Sequence, residues 1–257
     1  MKIKDLLVIL EKIAPLGLQM TEYGGDNCGL IIGREESDVR RVIISLDLTK
    51  RVVEMAKKEC VDLIITHHPP IFRPIKRLTD SMFIDLLESG ISVISLHSNY
   101  DSARLNDILA ERLGIIQTEG ILECRSLSGE KSYMGRIGIF DEELTGEDVI
   151  LRVKEELGIE YVRIIGEVKD NIVSAAVCQG SSSGSEEEIK ELDVDVFITG
   201  EVKYNNAVDL SNFGCFVIEA GHYETEKLFV NDLAEVLSYR APDLEIMPFY
   251  DRIVITI

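Results

Sequence analysis

The feature that most limits how this chain can fold is an apolar segment that ends in two adjacent histidines. Residues 61–66 are mostly apolar and are followed by His67, His68 and a Pro-Pro pair. A short apolar run bounded by turn residues predicts a buried strand, and proline ends it because proline has no N–H to donate to a neighbouring strand. We therefore expect both imidazoles at the carboxyl end of a strand, where open α/β sheets bind their ligands.

The sequence contains four histidines, and the other two follow the same pattern. His97 and His222 each come directly after an apolar run that predicts a strand, and each is followed four residues later by a carboxylate, Asp101 and Glu226 respectively. Histidines scattered over a surface would rarely all follow strands. The pattern therefore favours a shared site over the alternative, imidazoles that merely pack in the core or lie on the surface.

Strand and helix patterns alternate along the chain. Residues 1–14 predict an amphipathic helix, and a strand at 41–47 starts a β-α-β-α-β-α order that predicts a mostly parallel sheet with right-handed crossovers. Residues 118–140 contain three glycines and a strand-like run at 134–140, and they are expected to join the two halves of the chain. The last residues, 252–257, predict a strand that could join either half.

The second half of the sequence repeats the first. Residues 61–66 and 194–199 match at four of six positions, and each follows a strand and then a helix. The expected fold class is therefore α/β, with two related halves whose mostly parallel sheets face a shared cleft. The predicted domains are residues 1–125, which carry the His-His and HxxxD motifs, and residues 126–257, which carry a Gly/Ser loop and the GHxxxE motif.

Composition and charge exclude several classes of protein. The 46% of hydrophobic and 28% of charged residues are typical of a globular protein, and no stretch approaches the roughly 18 apolar residues of a membrane span. Five cysteines without a C-x-x-C pair argue against a disulfide framework and favour the cytoplasm. A formal net charge of -19 disfavours binding to nucleic acid or to an anionic membrane. A phosphorylated substrate would need local cations or metal ions to offset that charge.

Six residues form the candidate site. They are His67, His68, His97, Asp101, His222 and Glu226. Three or four imidazoles with two carboxylates exceed the ligands of one tetrahedral ion with an open position, but they suit two ions that share a carboxylate. Nitrogen and oxygen ligands without sulfur favour Zn, Fe, Mn, Ni or Co over Ca or Cu(I).

Four motifs in this order resemble those of the Nif-three-like dinuclear metal-centre family, whose members are named GTP cyclohydrolase 1 type 2 homologues. The motifs are Asp26-Asn27-x-Gly29-Leu30-x-x-Gly33, Thr66-His67-His68-Pro69, His97-Ser98-Asn99-x-Asp101 and Gly221-His222-x-x-x-Glu226. The resemblance covers nearly the whole chain. It implies two divalent ions per chain held by His67, His68, Asp101, His222 and Glu226, with His97 nearby as a catalytic or ligand-orienting group. It also implies a ring-shaped homohexamer with its sites facing an internal cavity.

Two further segments are candidates for catalysis and substrate binding. Many family members carry a histidine shortly after the position of Glu201, whereas this chain has Asn205 and Asn206 there, which leaves the general acid open. Glu201 is a candidate base, with a solvated turn residue or a ligand-orienting group as the alternatives. The loop of Gly180, Ser181, Ser182 and Ser183 opens a helix and could bind an anion, unless it is an ordinary capped turn.

The resemblance implies a metal-dependent hydrolase that acts on a nucleotide such as GTP, or on another small phosphorylated compound, through a water that bridges the two ions. His97 or Glu201 would move protons. The alternative is a metal-binding or regulatory scaffold without catalysis, in which the ions are structural and the ring binds a protein partner.

Overall fold

The computed structural model describes residues 1–21, 25–182 and 184–254. The strands are β1 (Gly29–Ile32), β2 (Arg41–Ser45), β3 (Leu63–Thr66), β4 (Ser92–Ser95), β5 (Ile116–Arg125), β6 (Lys131–Leu144), β7 (Arg163–Ile165), β8 (Ile172–Ser181), β9 (Val196–Glu201), β10 (Val217–Glu219) and β11 (Glu245–Pro248). The helices are α1 (Ile3–Glu11), α2 (Lys50–Lys58), α3 (Ser81–Ser89), α4 (Ser98–Tyr100), α5 (Asn106–Arg112), α6 (Gly146–Leu157), α7 (Glu186–Glu191), α8 (Tyr204–Phe213), α9 (His222–Glu226) and α10 (Leu228–Arg240). None of the helices in these ranges is long and apolar enough to cross a membrane.

The chain forms two compact units. The first comprises Met1–Ala103, Arg125–Glu130 and Phe229–Ile257, and the second comprises Arg104–Cys124 and Lys131–Leu228. This grouping differs from a single cut after residue 125, and the domain boundary expected there stays a prediction. Each unit contains one β-sheet, so the α/β class expected from the sequence is confirmed.

The sheet of the first unit has the strand order β1-β4-β3-β2-β11. β4, β3, β2 and β11 run parallel, and β1 is antiparallel to β4. Ile43, Ile64 and Val93 lie side by side in register and are fully buried. They pack against Val52 of α2 and Leu86 of α3, so both helices cover the same face of the sheet. Every residue of β3 and β4 is buried, on both faces of the sheet, which explains why these strands lack the alternation of a sheet with one solvated face.

The sheet of the second unit has the strand order β5-β6-β8-β9-β10-β7. β8, β9 and β10 are parallel at its centre, whereas β6 and β7 pair with them in the antiparallel sense. Ala176, Phe197 and Val217 lie in register and are buried against Ile189 of α7 and Leu210 of α8. This arrangement matches the three-strand, two-helix core of the first unit, as the internal repeat predicts.

The two repeated Val-Asp pairs make the same backbone contacts. Asp62 Oδ2 accepts hydrogen bonds at 2.9 Å from the N–H groups of Arg40 and Arg41. Asp195 Oδ2 accepts hydrogen bonds at 2.9 Å from the N–H groups of Val173 and Ser174. Each carboxylate thus caps the start of the preceding parallel strand in its own unit.

Two sequence expectations were wrong. The strand expected at 134–140 lies within β6, but residues 118–125 were not expected to form a strand and belong to β5, its neighbour in the second sheet. β5 is mostly exposed, so it lacks the apolar alternation that marks a strand. The C-terminal strand is Glu245–Pro248 beside β2, whereas residues 252–254 have no regular structure. Residues 255–257 lie outside the described residues.

Candidate metal centre

All four histidines lie just beyond the carboxyl ends of parallel strands, as predicted. His67 and His68 follow β3 directly, His97 follows β4 after one residue, and His222 starts α9 shortly after β10. Three of them belong to the first unit and His222 belongs to the second.

The first unit brings its three imidazoles together with Asp101. Ligand nitrogens of His67, His68 and His97 lie within 4.8 Å of one another. His67 Nε2 lies 3.3 Å from Asp101 Oδ1, and both residues are buried. Asp101 begins a π-helical turn, Asp101–Leu105, between α4 and α5. Such a widened turn is common at functional sites, and here it starts at the carboxylate that meets His67. These four residues are called the first cluster below.

Oxygen acceptors fix the orientation of His67 and His68. His67 Nδ1 lies 2.9 Å from the carbonyl oxygen of Leu96, and His68 Nδ1 lies 2.8 Å from Asp47 Oδ1. A carbonyl or carboxylate oxygen can only accept, so Nδ1 of each ring carries the proton and donates it. In a neutral imidazole this leaves the lone pair on Nε2, which is the protonation state required of a metal ligand.

His97 is held by Asp26. Its Nδ1 lies 3.0 Å from both carboxylate oxygens, and Asp26 also accepts hydrogen bonds from the backbone N–H and the hydroxyl of Ser98. Burial favours the neutral form of each group, but the hydrogen bond and opposite charge between them outweigh it. The pKa of Asp26 is therefore lowered and the pKa of His97 is raised. His97 thus tends to carry a proton.

Cys28 is not a thiolate in this environment. Burial and the negative charge of Asp26 raise the pKa of the Cys28 thiol, whose Sγ donates to Asp26 Oδ2 at 3.3 Å. The Cys28 thiol is thus held by the same carboxylate that contacts His97.

The second unit contributes His222 and Glu226, called the second pair. His222 Nε2 lies 2.9 Å from Glu226 Oε2, and His222 Nδ1 lies 3.5 Å from Glu201 Oε2. Glu226 is buried, whereas the side chain of Glu201 is half-exposed. This position suits Glu201 as a group that orients the His222 ring, which is one of the alternatives raised by the sequence.

A glycine lets Glu226 approach the end of β8. Gly180 has a φ of +59°, and a Cβ added there would lie 2.0 Å from Glu226 Oε1. The Gly180 N–H donates to Thr225 Oγ1 at 3.0 Å, which joins α9 to the strand next to the carboxylate. Glycine therefore avoids both the strain of a left-handed backbone and a displacement of the Glu226 carboxylate.

The chemistry of these side chains fits bound metal ions. Zinc ligands lie about 2.0–2.2 Å from the ion, so two ligand atoms of one tetrahedral ion lie about 3.3–3.6 Å apart. The separation of 3.3 Å between His67 Nε2 and Asp101 Oδ1 matches this distance, whereas the 2.9 Å between His222 Nε2 and Glu226 Oε2 is shorter. Both groups therefore have the donor types of a divalent transition-metal site, and His67 and Asp101 also have its spacing.

The structure describes the predicted substrate loop only in part. Gly180 and Ser181 end β8, Ser182 is buried, and Ser183 lies outside the described residues. The N–H of Gly184 donates to both carboxylate oxygens of Glu186, at 3.0 and 3.1 Å. A role of this loop in substrate binding stays a prediction.

Sequence reasoning missed the part played by Asp26 and Asp47. Asp47 follows β2 at the same sheet edge as the histidines, so its position after a strand was a usable signal. Asp26 stands in a recognised motif, but it lies 71 residues before His97, and no local pattern links the two.

A family model described as Duf34/NIF3 (NGG1p interacting factor 3) matches residues 1–251. The chain belongs to the Duf34/NIF3 family. A curated relative named GTP cyclohydrolase 1 type 2 homolog, from Clostridium perfringens, is 33% identical over 233 residues, which are 88% of this chain and 87% of the relative. The resemblance inferred from the four motifs is thereby confirmed.

Several solved structures are similar to this chain in fold. A hypothetical protein of Staphylococcus aureus is 26% identical with a TM-score of 0.84, and the match covers 98% of this chain and 97% of that one. Reduced HcgD from Methanocaldococcus jannaschii is 30% identical with a TM-score of 0.81, over 96% of each chain. A Bacillus cereus protein related to NIF3 has a TM-score of 0.87 at 22% identity, over 100% of this chain and 99% of that one.

Proposed function

We propose that this protein is a metal-dependent hydrolase of the GTP cyclohydrolase 1 type 2 homologue kind. One observation carries the proposal: His67, His68 and His222 each have an oxygen atom beside Nδ1, which directs Nε2 toward the role of metal ligand. Relatives with the name GTP cyclohydrolase 1 type 2, such as the one from Helicobacter pylori at 30% identity, support the choice of reaction class.

The ligands in this proposal are His67, His68, Asp101, His222 and Glu226, and they hold two divalent transition-metal ions per chain. Zn, Fe, Mn and Ni fit a set of imidazoles and carboxylates. When bound, such ions supply positive charge that polarises the substrate and lowers the pKa of water. The first cluster and the second pair each contribute at least one imidazole and one carboxylate.

His97 is the proton donor in this proposal. Asp26 raises the pKa of His97 and holds its Nδ1–H, so a second proton on Nε2 is the one available to a leaving group. This assignment gives the chain a general acid even though Asn205 and Asn206 stand where relatives carry a histidine. Glu201 orients His222 and is the candidate base.

The substrate is a nucleotide or another small phosphorylated compound, and the loop at Gly180, Ser181 and Ser182 is the candidate anion site. The assembly is a homo-oligomer, with the hexameric ring as the specific expectation. The cytoplasm is the proposed location, which agrees with the five free cysteines.

Metal analysis tests the proposal first. Purified wild-type protein is expected to contain about two transition-metal ions per chain, and His67→Ala and Glu226→Ala are each expected to lose at least one. Asp209→Asn serves as the control, because Asp209 is an exposed carboxylate on α8. Wild-type protein that is metal-free and takes up no added Zn, Mn or Fe would contradict the proposal.

Activity of the metal-loaded protein tests the reaction. Release of formate or phosphate from GTP and related nucleotides is expected, and it should fall with the metal content of the variants. Two tightly bound ions together with no hydrolysis of any nucleotide would favour the non-catalytic scaffold instead.

A further inference from the structure

The segment directly after the two adjacent histidines is exposed and basic. Residues 71–80, called the basic loop below, connect β3 to α3 and contain no helix or strand. Residues 72–80 are all exposed. Three cations lie within five positions of this loop: Arg73, Lys76 and Arg77.

The cations of the basic loop are not neutralised. None of Arg73, Lys76 and Arg77 forms an ion pair with a carboxylate in the ranges that the structure describes. The acid in the loop, Asp80, uses Oδ1 to accept the Met82 N–H at 2.8 Å as the N-cap of α3. In a chain of net charge -19, this loop is therefore a local region of positive charge.

The base of the loop is fixed beside the first cluster. Asn27 Nδ2 donates to the carbonyl oxygen of Ile71 at 2.5 Å, and the preceding residue, Asp26, is the one that holds His97. The Phe72 ring meets the His97 ring edge-on, with centroids 6.4 Å apart, while 44% of Phe72 remains exposed. Proline at positions 69, 70 and 74 limits the conformations of the loop.

We propose that the basic loop binds the phosphate groups of an anionic substrate, and that Phe72 contacts its heterocyclic ring. This inference rests on the proposed function, since it assigns a substrate class to the same site. Arginine binds phosphate oxygens through paired N–H donors, and lysine adds a point charge. An exposed aromatic face next to cations suits a nucleotide, which joins a flat ring to phosphates.

The negative net charge of the protein means that a phosphorylated substrate needs a local group of cations at the site where it binds. A strongly acidic protein repels phosphorylated compounds, so productive binding needs cations placed where the substrate enters. The basic loop follows His68, a proposed metal ligand, without an intervening helix or strand. Its cations are therefore tied to the site through a short stretch of chain.

Calorimetric binding of GTP and guanosine to the metal-loaded full-length protein tests this inference. The triple variant Arg73→Ala, Lys76→Ala, Arg77→Ala is expected to weaken GTP binding about 10- to 100-fold, since each lost charged hydrogen bond is worth at least a severalfold change in affinity. Guanosine binding is expected to stay unchanged. Phe72→Ala is expected to weaken the binding of GTP and the binding of guanosine by the same factor, because both ligands contain the ring that Phe72 would contact.

A matched control separates the loop from the overall charge. The variant Lys12→Ala, Arg34→Ala, Arg240→Ala removes three exposed cations elsewhere in the first unit. It is expected to bind GTP within about twofold of the wild type, because it lowers the net charge by the same amount but leaves the basic loop intact and removes only solvent-screened surface charges. An equal loss in both triple variants, or no loss in the loop variant, would overturn the inference.

The outcomes also distinguish this inference from the proposed function. If GTP binds in a loop-dependent way but is not hydrolysed, the phosphate site stands and the hydrolase proposal fails. If GTP is hydrolysed with the wild-type KM by the loop variant, the hydrolase proposal stands and the phosphate site fails. The phosphate site would also be overturned if the wild type bound no nucleotide. The same holds if light scattering showed that the loop variant has a different oligomeric mass, because its weaker binding would then come from altered assembly.

Discussion

His97 Nδ1 lies 3.0 Å from both carboxylate oxygens of Asp26. The two residues are 71 positions apart in the sequence, and their contact links the first motif of the chain to the third. Since the carboxylate stabilises the imidazolium form, it sets how readily His97 can hold and release a proton.

Asp26→Asn is expected to lower the pKa of His97, because the amide removes the negative charge that favours the protonated ring. NMR titration of the imidazole signals in metal-stripped protein measures this shift. Asp209→Asn is the control, since Asp209 is an exposed carboxylate on α8 and should leave the His97 titration unchanged. An unaltered His97 pKa in Asp26→Asn would show that the pair is not electrostatically coupled.

Asp47→Ala is expected to weaken metal binding about 10- to 100-fold, as is typical when a group that orients a ligating histidine is removed. The cause is that His68 loses the acceptor that fixes its Nδ1–H and ring orientation. Competition with a chromogenic chelator measures the affinity. Asp47→Asn keeps an oxygen acceptor and should recover part of the loss, whereas equal loss in both variants would point to charge instead of orientation.

Gly180→Ala is expected to lower the metal content, because the new Cβ would collide with the Glu226 carboxylate. Gly158→Ala is a matched control: its φ of +63° is close to that of Gly180, but no atom lies within 4 Å of an added Cβ. Both variants should lose about 1–2 kcal/mol of stability from the left-handed backbone. Elemental analysis should show metal loss in Gly180→Ala alone, and full metal content in that variant would exclude the steric explanation.

Asp62→Ala and Asp195→Ala are each expected to lower the free energy of unfolding by about 1–3 kcal/mol, because each leaves two backbone N–H groups at a strand start without their charged acceptor. Urea denaturation measures the change. Asp209→Ala, an exposed carboxylate, should be within about 0.5 kcal/mol of wild type. If only one of the two substitutions lowers the free energy of unfolding, the two aspartates do not have the same structural role.

The lowered pKa of Asp195 also makes the free energy of unfolding depend on pH. Burial alone would raise its pKa, but the N–H groups of Ser174 and Val173 outweigh that effect and lower it in the folded protein. The stabilisation is therefore fully present above the unfolded pKa of about 3.9 and is lost as the pH falls through the folded value. Wild-type protein should lose more unfolding free energy than Asp195→Asn between about pH 5 and pH 2. Parallel pH curves for the two proteins would contradict this.

Local sequence patterns determined most of the secondary structure and the identity of the candidate metal ligands. Thr145 and Asp148 form the capping box expected at the start of α6, and Gly90 and Gly158 end their helices in the left-handed conformation. Periodicity, capping and strand-ending prolines act over a few residues, so a single sequence shows them directly. The internal repeat likewise required only comparison of two short segments.

The tertiary structure alone decided which oxygen atoms orient the imidazoles, why Gly180 must be glycine and where the C-terminal strand lies. Asp26 and His97, or Gly180 and Glu226, meet only after strands have paired and helices have packed on them, and no local periodicity records such distant contacts. β11 is short and ends in proline, so its place beside β2 depends on an available sheet edge and not on its own propensity. The sequence thus indicates the candidate ligands locally, while their protonation and orientation depend on contacts that only the folded state creates.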